Sequence, residues 1–165
     1  ARSALPHGRA TLSKLPRKGF VTLDFGVILN GYCSDMTRTV HLGGASREER
    51  SAYDAVLEAQ EAAVSAVRPG ATCGDVDEAA RGVLRKAGLA RWFTHSTGHG
   101  VGLEIHEQPR VAAGHEIRLE PGMVITIEPG IYKTGQFGIR IEDMVAVTEK
   151  GARVLTPVTK AWIEL

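Results

Sequence analysis

The sequence predicts one globular domain of mixed helix and strand, in the α/β or α+β class, and three observations predict it. The chain has 165 residues, of which 43% are hydrophobic and 24% charged, so it can bury a sizeable core. Apolar residues recur at helical spacing over 47–67 and 72–86. Elsewhere apolar and polar residues alternate as in strands, with glycine and proline at the breaks.

Charge and cysteine content narrow the class of protein. A net charge of +1 gives no electrostatic basis for binding nucleic acid or an anionic membrane, and no apolar run is long enough to cross a bilayer. Cys33 and Cys73 lack CxxC spacing, so we expect free thiols rather than a disulfide or a zinc pair. We therefore expect a soluble, cytoplasmic protein without nucleic-acid or membrane partners.

The segment from Asp24 to Asp35 predicts a β-hairpin that aims two carboxylates into one hollow. Apolar arms flank Asn30-Gly31, which favours a type I′ turn because both central residues need positive φ. In that register Asp24 lies opposite Thr37, and Gly26 lies opposite Asp35 and leaves space between the two acids. Their Cα atoms would be roughly 7–8 Å apart on one face. Two such acids repel each other unless a cation lies between them, and our hypothesis is a pair of metal ions.

The helices and the last strand follow from local signals. Ser46 with Glu49 three residues later is a capping box that opens the first helix. The second helix begins at Thr72 or Gly74. We expect the apolar faces of both helices to pack on a sheet and assign them no direct chemistry. A closing strand is expected over 153–158.

Histidine and glycine are concentrated between residues 91 and 110. His95, His99 and His106 are three of the six histidines in the chain. This density favours a ligand or acid–base role, and the nearby glycines suit backbone that approaches a ligand closely. By local pattern alone, His7 and His115 are read as solvated side chains in loops.

Two glutamates are expected to face each other in apolar strands. A buried strand over 121–128 ends at Glu128, and residues 138–147 alternate around Glu142. If Gly135 lies at the centre of the connection, the two carboxylates are opposite each other. Like charges directly across a ladder destabilise it, and a cation between them would reverse the sign. Alternation places Arg140, Glu142 and Met144 on one face and Ile139, Ile141 and Val145 on the other.

Four carboxylates and at least one imidazole thus form an oxygen-rich donor set, comprising Asp24, Asp35, His99, Glu128 and Glu142. Such a set favours two divalent ions, with Mn²⁺ preferred and Fe²⁺, Co²⁺ or Zn²⁺ as further candidates. The Cys/His tetrads of structural zinc are absent from the sequence. Two ions roughly 3.5–4 Å apart activate a shared water and polarise a carbonyl, which suits amide hydrolysis.

Four motifs follow one another along the chain. They are Asp24-Phe-Gly with Gly31 to Thr39, Gly98-His99-Gly-Val-Gly-Leu-Glu-Ile-His106-Glu, Thr126-Ile-Glu128-Pro-Gly-Ile-Tyr and Gly138-Ile-Arg-Ile-Glu142-Asp. In this order they resemble the motifs of the pita-bread metallopeptidases, within the Xaa-Pro aminopeptidase and prolidase branch. The resemblance implies an α+β pita-bread fold, in which a curved antiparallel sheet carries helices on its outer face. It also implies an Xaa-Pro aminopeptidase or Xaa-Pro dipeptidase acting on peptides with proline at the second position.

The resemblance also implies a role for each metal ligand. Asp24 would bind one metal ion, and Asp35 and Glu142 would bridge both ions. His99 and Glu128 would hold the second ion. Glu128 would in addition accept a proton from the attacking water.

Four further residues match substrate-side positions of the family. His7 corresponds to a histidine near the leaving group, which changes the reading of this residue from solvated to functional. His106 corresponds to the histidine that steadies the tetrahedral intermediate, and His95 to a pocket histidine near the proline. Arg140 corresponds to an arginine that orders the site and contacts substrate.

Two alternative functions stay open at this point. Methionine aminopeptidases share the five ligands, although their last motif differs. A non-catalytic peptide-binding relative is the other alternative, because the chain begins at the edge of the Pro-His-Gly motif. The resemblance therefore implies that residues 1–165 are a catalytic domain that lacks its opening segment and comes from a longer chain, with a homodimer as one assembly that it allows.

Overall fold

A computed structural model describes residues 2–8 and 11–165 of the chain. Within them two α-helices accompany eleven short strands, and two 3₁₀ turns lie at Arg2–Ala4 and Ala90–Trp92. The helices are α1 (Arg47–Ala66) and α2 (Cys73–Lys86). The strands are β1 (Gly19–Phe25), β2 (Ile28–Leu29), β3 (Tyr32–Cys33), β4 (Met36–Leu42), β5 (Gly98–Gly100), β6 (Glu107–Val111), β7 (Val124–Ile127), β8 (Gly130–Lys133), β9 (Phe137–Arg140), β10 (Asp143–Thr148) and β11 (Gly151–Val154).

The named strands pair with one another in antiparallel fashion. Five of them form a sheet in the order β11-β10-β7-β5-β6, while β1–β4, β2–β3 and β8–β9 form two-stranded ladders. One hydrophobic core joins the apolar faces of both helices to the strands, with Val56, Val76, Ile125, Ile139 and Val145 among its fully buried members. No helix in the described residues is long and apolar enough to cross a membrane.

Both helices begin at side-chain caps. The Ser46 hydroxyl accepts from the Glu49 amide and the Glu49 side chain accepts from the Ser46 amide, which confirms the predicted capping box. Thr72, rather than Gly74, caps α2, and it forms the same reciprocal pair with Asp75. Aspartate and glutamate in the first turn also complement the partial positive charge of the helix N-terminus.

The hairpin predicted around Asn30-Gly31 is confirmed. Both turn residues have positive φ, 51° at Asn30 and 85° at Gly31. Asp24 pairs with Thr37. Gly26, however, does not leave a hollow: a Cβ there would lie 1.8 Å from the Ser34 carbonyl oxygen, so glycine is required by the neighbouring backbone.

The second predicted register is also confirmed. Gly130 pairs with Arg140 across a turn containing Gly135, and Ile127 pairs with Asp143. Glu128 and Glu142 lie in the gap between these two pairs and therefore face each other. Ile139, Ile141 and Val145 lie in the core, as alternation predicts.

The predicted closing strand is present, but its predicted bounds of 153–158 are wrong. Strand β11 begins at Gly151 and ends at Val154. The following residues leave the sheet because three of their carbonyl oxygens, at Thr156, Val158 and Thr159, accept hydrogen bonds from the Arg38 guanidinium group. Both cysteines are free, as expected.

Candidate metal centre

The five predicted metal ligands line one cavity of about 480 Å³. They come from five places in the chain: β1, the start of β4, β5, the end of β7 and the junction of β9 with β10. A neighbouring cavity of about 670 Å³ is lined by the predicted substrate-side residues His7, His95, His106 and Arg140. His7, His99, His106, Glu128 and Arg140 line both cavities.

The donor atoms of three predicted ligands lie within ligating range of one another. One atom each from Asp35, His99 and Glu142 falls within 4.8 Å of the other two. His99 Nε2 is 3.3 Å from Glu128 Oε1 and 3.9 Å from Asp35 Oδ2. Asp24 lies on the same cavity wall, but its carboxylate accepts a hydrogen bond from Arg140 instead. The structure therefore brings three donors close together, with Glu128 beside them and Asp24 hydrogen-bonded to Arg140.

The backbone fixes which nitrogen of His99 faces the carboxylates. His99 Nδ1 lies 2.9 Å from the Gly100 carbonyl oxygen and so donates its proton there, which leaves Nε2 toward the cavity. The His99 amide also donates to Thr126 Oγ1 at 3.1 Å. A Cβ at Gly98 would lie 1.8 Å from the Thr126 carbonyl oxygen. This glycine therefore allows strand-to-strand contact and not the close approach of a ligand that we expected.

Glu142 has one satisfied and one orphaned carboxylate oxygen. The side chain is 2% exposed, and Oε2 accepts from the Thr37 hydroxyl at 2.6 Å. Oε1 is buried and has no hydrogen-bond partner among the described residues. A buried carboxylate oxygen left without a donor is costly, and a cation would satisfy it.

The acids of this cavity repel one another. Burial, reinforced by the charges of Glu128 and Asp35, raises the pKa of Glu142 to about 8. Burial and the neighbouring charges of Asp24 and Glu128 raise the pKa of Asp35 to about 6. Both shifts show a shortage of positive charge where oxygen donors converge, so the residues present fit divalent metal ions.

His99 and Glu128 lie close enough to shift each other's pKa. Burial lowers the pKa of His99, but the hydrogen bonds with Glu128 and the Gly100 carbonyl oxygen, together with the charges of Glu128 and Glu142, raise the net pKa. Burial raises the pKa of Glu128, but the hydrogen bond with His99 and the charges of His99, His95 and Arg140 together bring the net pKa below its ordinary value. A proton and a metal ion thus compete for His99 Nε2.

Arg140 connects the metal-ligand cavity to the substrate-side residues. Its guanidinium group donates to Asp24, to Thr37 Oγ1 at 3.1 Å and to the Tyr132 hydroxyl at 3.0 Å. Tyr132 in turn lies 3.0 Å from His95 Nε2. Burial lowers the pKa of His95, which favours its neutral form. Arg140 thereby holds Asp24 and the His95 pocket in one network.

Sequence reasoning missed the residues that support the donors. Thr37 and Thr126 hold Glu142 and Glu128 through their hydroxyls. On α2, buried Asp77 accepts from both the amide and the hydroxyl of Thr97. The Thr97 carbonyl oxygen then accepts from the Glu128 amide at 2.7 Å. The presence of a carboxylate on the apolar face of α2 could have indicated the role of Asp77. The sequence around the threonines contains no comparable indication of their role.

Comparison with known proteins gives consistent matches. The model of metallopeptidase family M24 matches residues 1–149. An Xaa-Pro dipeptidase of Pyrococcus furiosus is 50% identical over 155 residues, which are 94% of this chain and 44% of that protein.

Solved structures of related proteins also match this chain. An Xaa-Pro dipeptidase from Bacillus anthracis superposes with a TM-score of 0.97 at 47% identity, over 99% of this chain and 46% of that one. An X-Pro aminopeptidase from Thermotoga maritima gives a TM-score of 0.95 at 41% identity, over 99% and 47%. These matches confirm the α+β pita-bread fold predicted from the sequence. The chain spans less than half the length of these relatives.

Proposed function

Because the chain belongs to metallopeptidase family M24, we propose that it supplies the metal centre of an exopeptidase that hydrolyses the Xaa-Pro bond at peptide N-termini. The activity is proposed for the whole protein, since the chain spans less than half of its relatives. One observation carries the proposal: five donor side chains line one cavity, and buried Glu142 Oε1 there has no partner among the described residues.

We assign the ligands as the resemblance implies. Asp24 would hold one ion, Asp35 and Glu142 would bridge, and His99 and Glu128 would hold the other. Mn²⁺ suits this set best, because four of the five donors are carboxylates. Two divalent ions bound there would polarise the scissile carbonyl and lower the pKa of the attacking water.

The remaining steps belong to the protein's own side chains. Glu128 lines both cavities, so it can accept the proton of the attacking water and pass it toward the leaving amine. His106 lies beside His99, with ring centroids 4.3 Å apart, which supports our assignment of His106 as the donor to the developing oxyanion. His7 also lines both cavities, and we assign it the role near the leaving group that the resemblance implies.

The larger cavity would receive the proline. His95, held by Tyr132, forms part of its wall, and exposed Arg110 also lines it. A guanidinium group there would pair with the carboxylate that ends an Xaa-Pro dipeptide. We therefore favour a dipeptidase over an aminopeptidase, although relatives with either name share the fold.

Blocking the carboxylate tests this preference. A dipeptidase should cleave Ala-Pro much faster than Ala-Pro amide, and Arg110→Met should remove most of that difference. Equal rates for the two substrates in the unsubstituted protein would indicate an aminopeptidase.

The experiment that tests the function combines metal analysis with hydrolysis. Protein purified without chelator should contain Mn²⁺ or a similar ion and should cleave Xaa-Pro peptides, whereas Glu142→Gln should lower the metal content and abolish turnover. Cleavage of Met-Ala peptides instead would indicate a methionine aminopeptidase. Bound metal without any hydrolysis would indicate a peptide-binding relative.

A further inference from the structure

A second buried group of charges lies directly behind Glu142, outside both cavities. At its centre is Asp143, which is 1% exposed. One carboxylate oxygen accepts from Arg38 at 2.7 Å and from the Thr156 hydroxyl at 3.0 Å. The other accepts from Lys160 at 2.8 Å and from Gln60 at 3.0 Å. We call these five residues the Asp143 cluster.

The cluster joins three distant parts of the chain at one point. Arg38 comes from β4, Gln60 from α1, and Thr156 and Lys160 from the segment that follows β11. Lys160 also donates to Gln60 Oε1 at 2.7 Å. A buried carboxylate with four side-chain donors has its charge and its orientation fixed.

Arg38 carries this fixed arrangement to the metal ligand. Its Nη1 donates to the carbonyl oxygens of Thr37, at 2.9 Å, and of Glu142. These are the two residues whose side chains hydrogen-bond to each other at 2.6 Å. One planar group thus holds both backbones of a pair that orients the Glu142 carboxylate.

The position of Glu142 explains why such support is needed. Glu142 lies between β9 and β10, outside the pairing of either strand. Its amide donates to the Thr37 carbonyl oxygen at 3.1 Å instead. Because no regular ladder fixes this residue, its backbone depends on the contacts from β4 and Arg38.

We propose that Arg38, Asp143 and Lys160 are positioning residues for Glu142, so that the segment after β11 contributes to metal affinity without touching the metal. In this chain of contacts, Lys160 and Gln60 hold Asp143. Arg38 is held by Asp143 and by the carbonyl oxygens of residues 156–159. Arg38 in turn holds Thr37 and Glu142. The proposal rests on the proposed function for its assumption that Glu142 binds metal.

The test measures Mn²⁺ affinity by competition with a chelator, together with the melting temperature of the metal-free protein. Arg38→Lys keeps the charge but loses the planar group, and should weaken Mn²⁺ binding about 10- to 100-fold. Lys160→Met should weaken it by a smaller factor, and Lys160→Arg should restore it to within about twofold. Lys150→Met, an exposed residue in the turn before β11, is the charge-matched control and should bind as the unsubstituted protein does.

A purely structural cluster gives a different result. Arg38→Lys and Lys160→Met would then lower the metal-free melting temperature and leave Mn²⁺ affinity unchanged, which overturns the proposal. Unsubstituted protein that binds Mn²⁺ but does not hydrolyse Xaa-Pro peptides overturns only the proposed function, because the affinity comparison still decides the role of the cluster. Unsubstituted protein that binds no Mn²⁺ overturns both.

Discussion

At the scale of single residues, Glu142 depends on the Thr37 hydroxyl. That hydroxyl donates to Glu142 Oε2 at 2.6 Å and accepts from Arg140 Nε at 3.1 Å. This fully buried hydroxyl therefore orients the acid and links it to the guanidinium group. Removing the hydroxyl while keeping the shape of the side chain would leave two buried polar groups without a partner.

We therefore predict that Thr37→Val weakens Mn²⁺ binding about tenfold and lowers the free energy of unfolding by about 1–3 kcal/mol. Chelator competition and denaturant unfolding measure the two effects. Thr22→Val, in the neighbouring strand β1, is the matched control and should change neither quantity appreciably. Thr37→Val with unchanged Mn²⁺ affinity would contradict the assigned role.

The raised pKa values of Asp35 and Glu142 predict an unusual pH dependence for the metal-free protein. The folded state binds these two protons more tightly than the unfolded chain, so protonation stabilises the fold. This contribution is complete below the ordinary carboxyl range and is lost as pH rises through about 6 for Asp35 and about 8 for Glu142. The melting temperature in chelator should therefore fall as the pH rises from about 5 to about 9, a range that spans both raised pKa values.

Two comparisons check the origin of that fall. Glu142→Gln imitates the protonated side chain, so its melting temperature in chelator should vary less above pH 6, near the lower of the two pKa values. With Mn²⁺ present, the dependence should reverse, because metal binding needs ionised carboxylates. A melting temperature in chelator that rises steadily with pH would contradict the prediction.

At the scale of elements, α2 holds the loop that presents His95 and supports Glu128. Asp77 is fully buried on this helix and pairs with Arg81, whose guanidinium group donates to the carbonyl oxygens of Phe93 and His95. Asp77 also accepts from Thr97 at 2.8 Å. The helix therefore does more than cover the sheet, although it contributes no side chain to the cavities.

We predict that Asp77→Asn destabilises the fold strongly, by about 3–5 kcal/mol, because it removes the fully buried carboxylate that pairs with Arg81 and accepts from Thr97. The same change should raise KM for Xaa-Pro substrates, since the His95 loop loses its anchor. Glu78→Gln on the same helix breaks an exposed pair with Arg85 and is the control. Equal losses of stability in the two variants would show that burial of Asp77 does not matter.

Local sequence signals predicted most helices and strands, and they failed where long-range contacts determine the structure. The capping box at Ser46 and both hairpin registers could be read from the sequence, because caps and turns depend on neighbouring residues. Strand β11 ends earlier than predicted because Arg38, far away in sequence, donates hydrogen bonds to carbonyl oxygens of the residues that follow it. The support from Asp77 was missed for the same reason.

At the scale of the whole molecule, the metal centre exists only when separate sheets come together. Asp24 lies in β1 and Asp35 directly precedes β4, whereas His99 belongs to the five-stranded sheet. The motifs predicted which residues take part. They could not show that Asp35, His99 and Glu142 approach within 4.8 Å while Asp24 turns to Arg140, because that follows from how the sheets pack.

A ligand that needs this assembled state must stabilise it. Free Mn²⁺ at about 100 times its dissociation constant should add about 2.7 kcal/mol of stability, which for a domain of this size raises the melting temperature by roughly 5–10 °C. A titration followed by thermal melts should show the rise continuing with the logarithm of metal concentration. Glu142→Gln should show a smaller rise at each concentration. A melting temperature independent of Mn²⁺, or an equal rise in Glu142→Gln, would mean that these side chains do not bind the ion together.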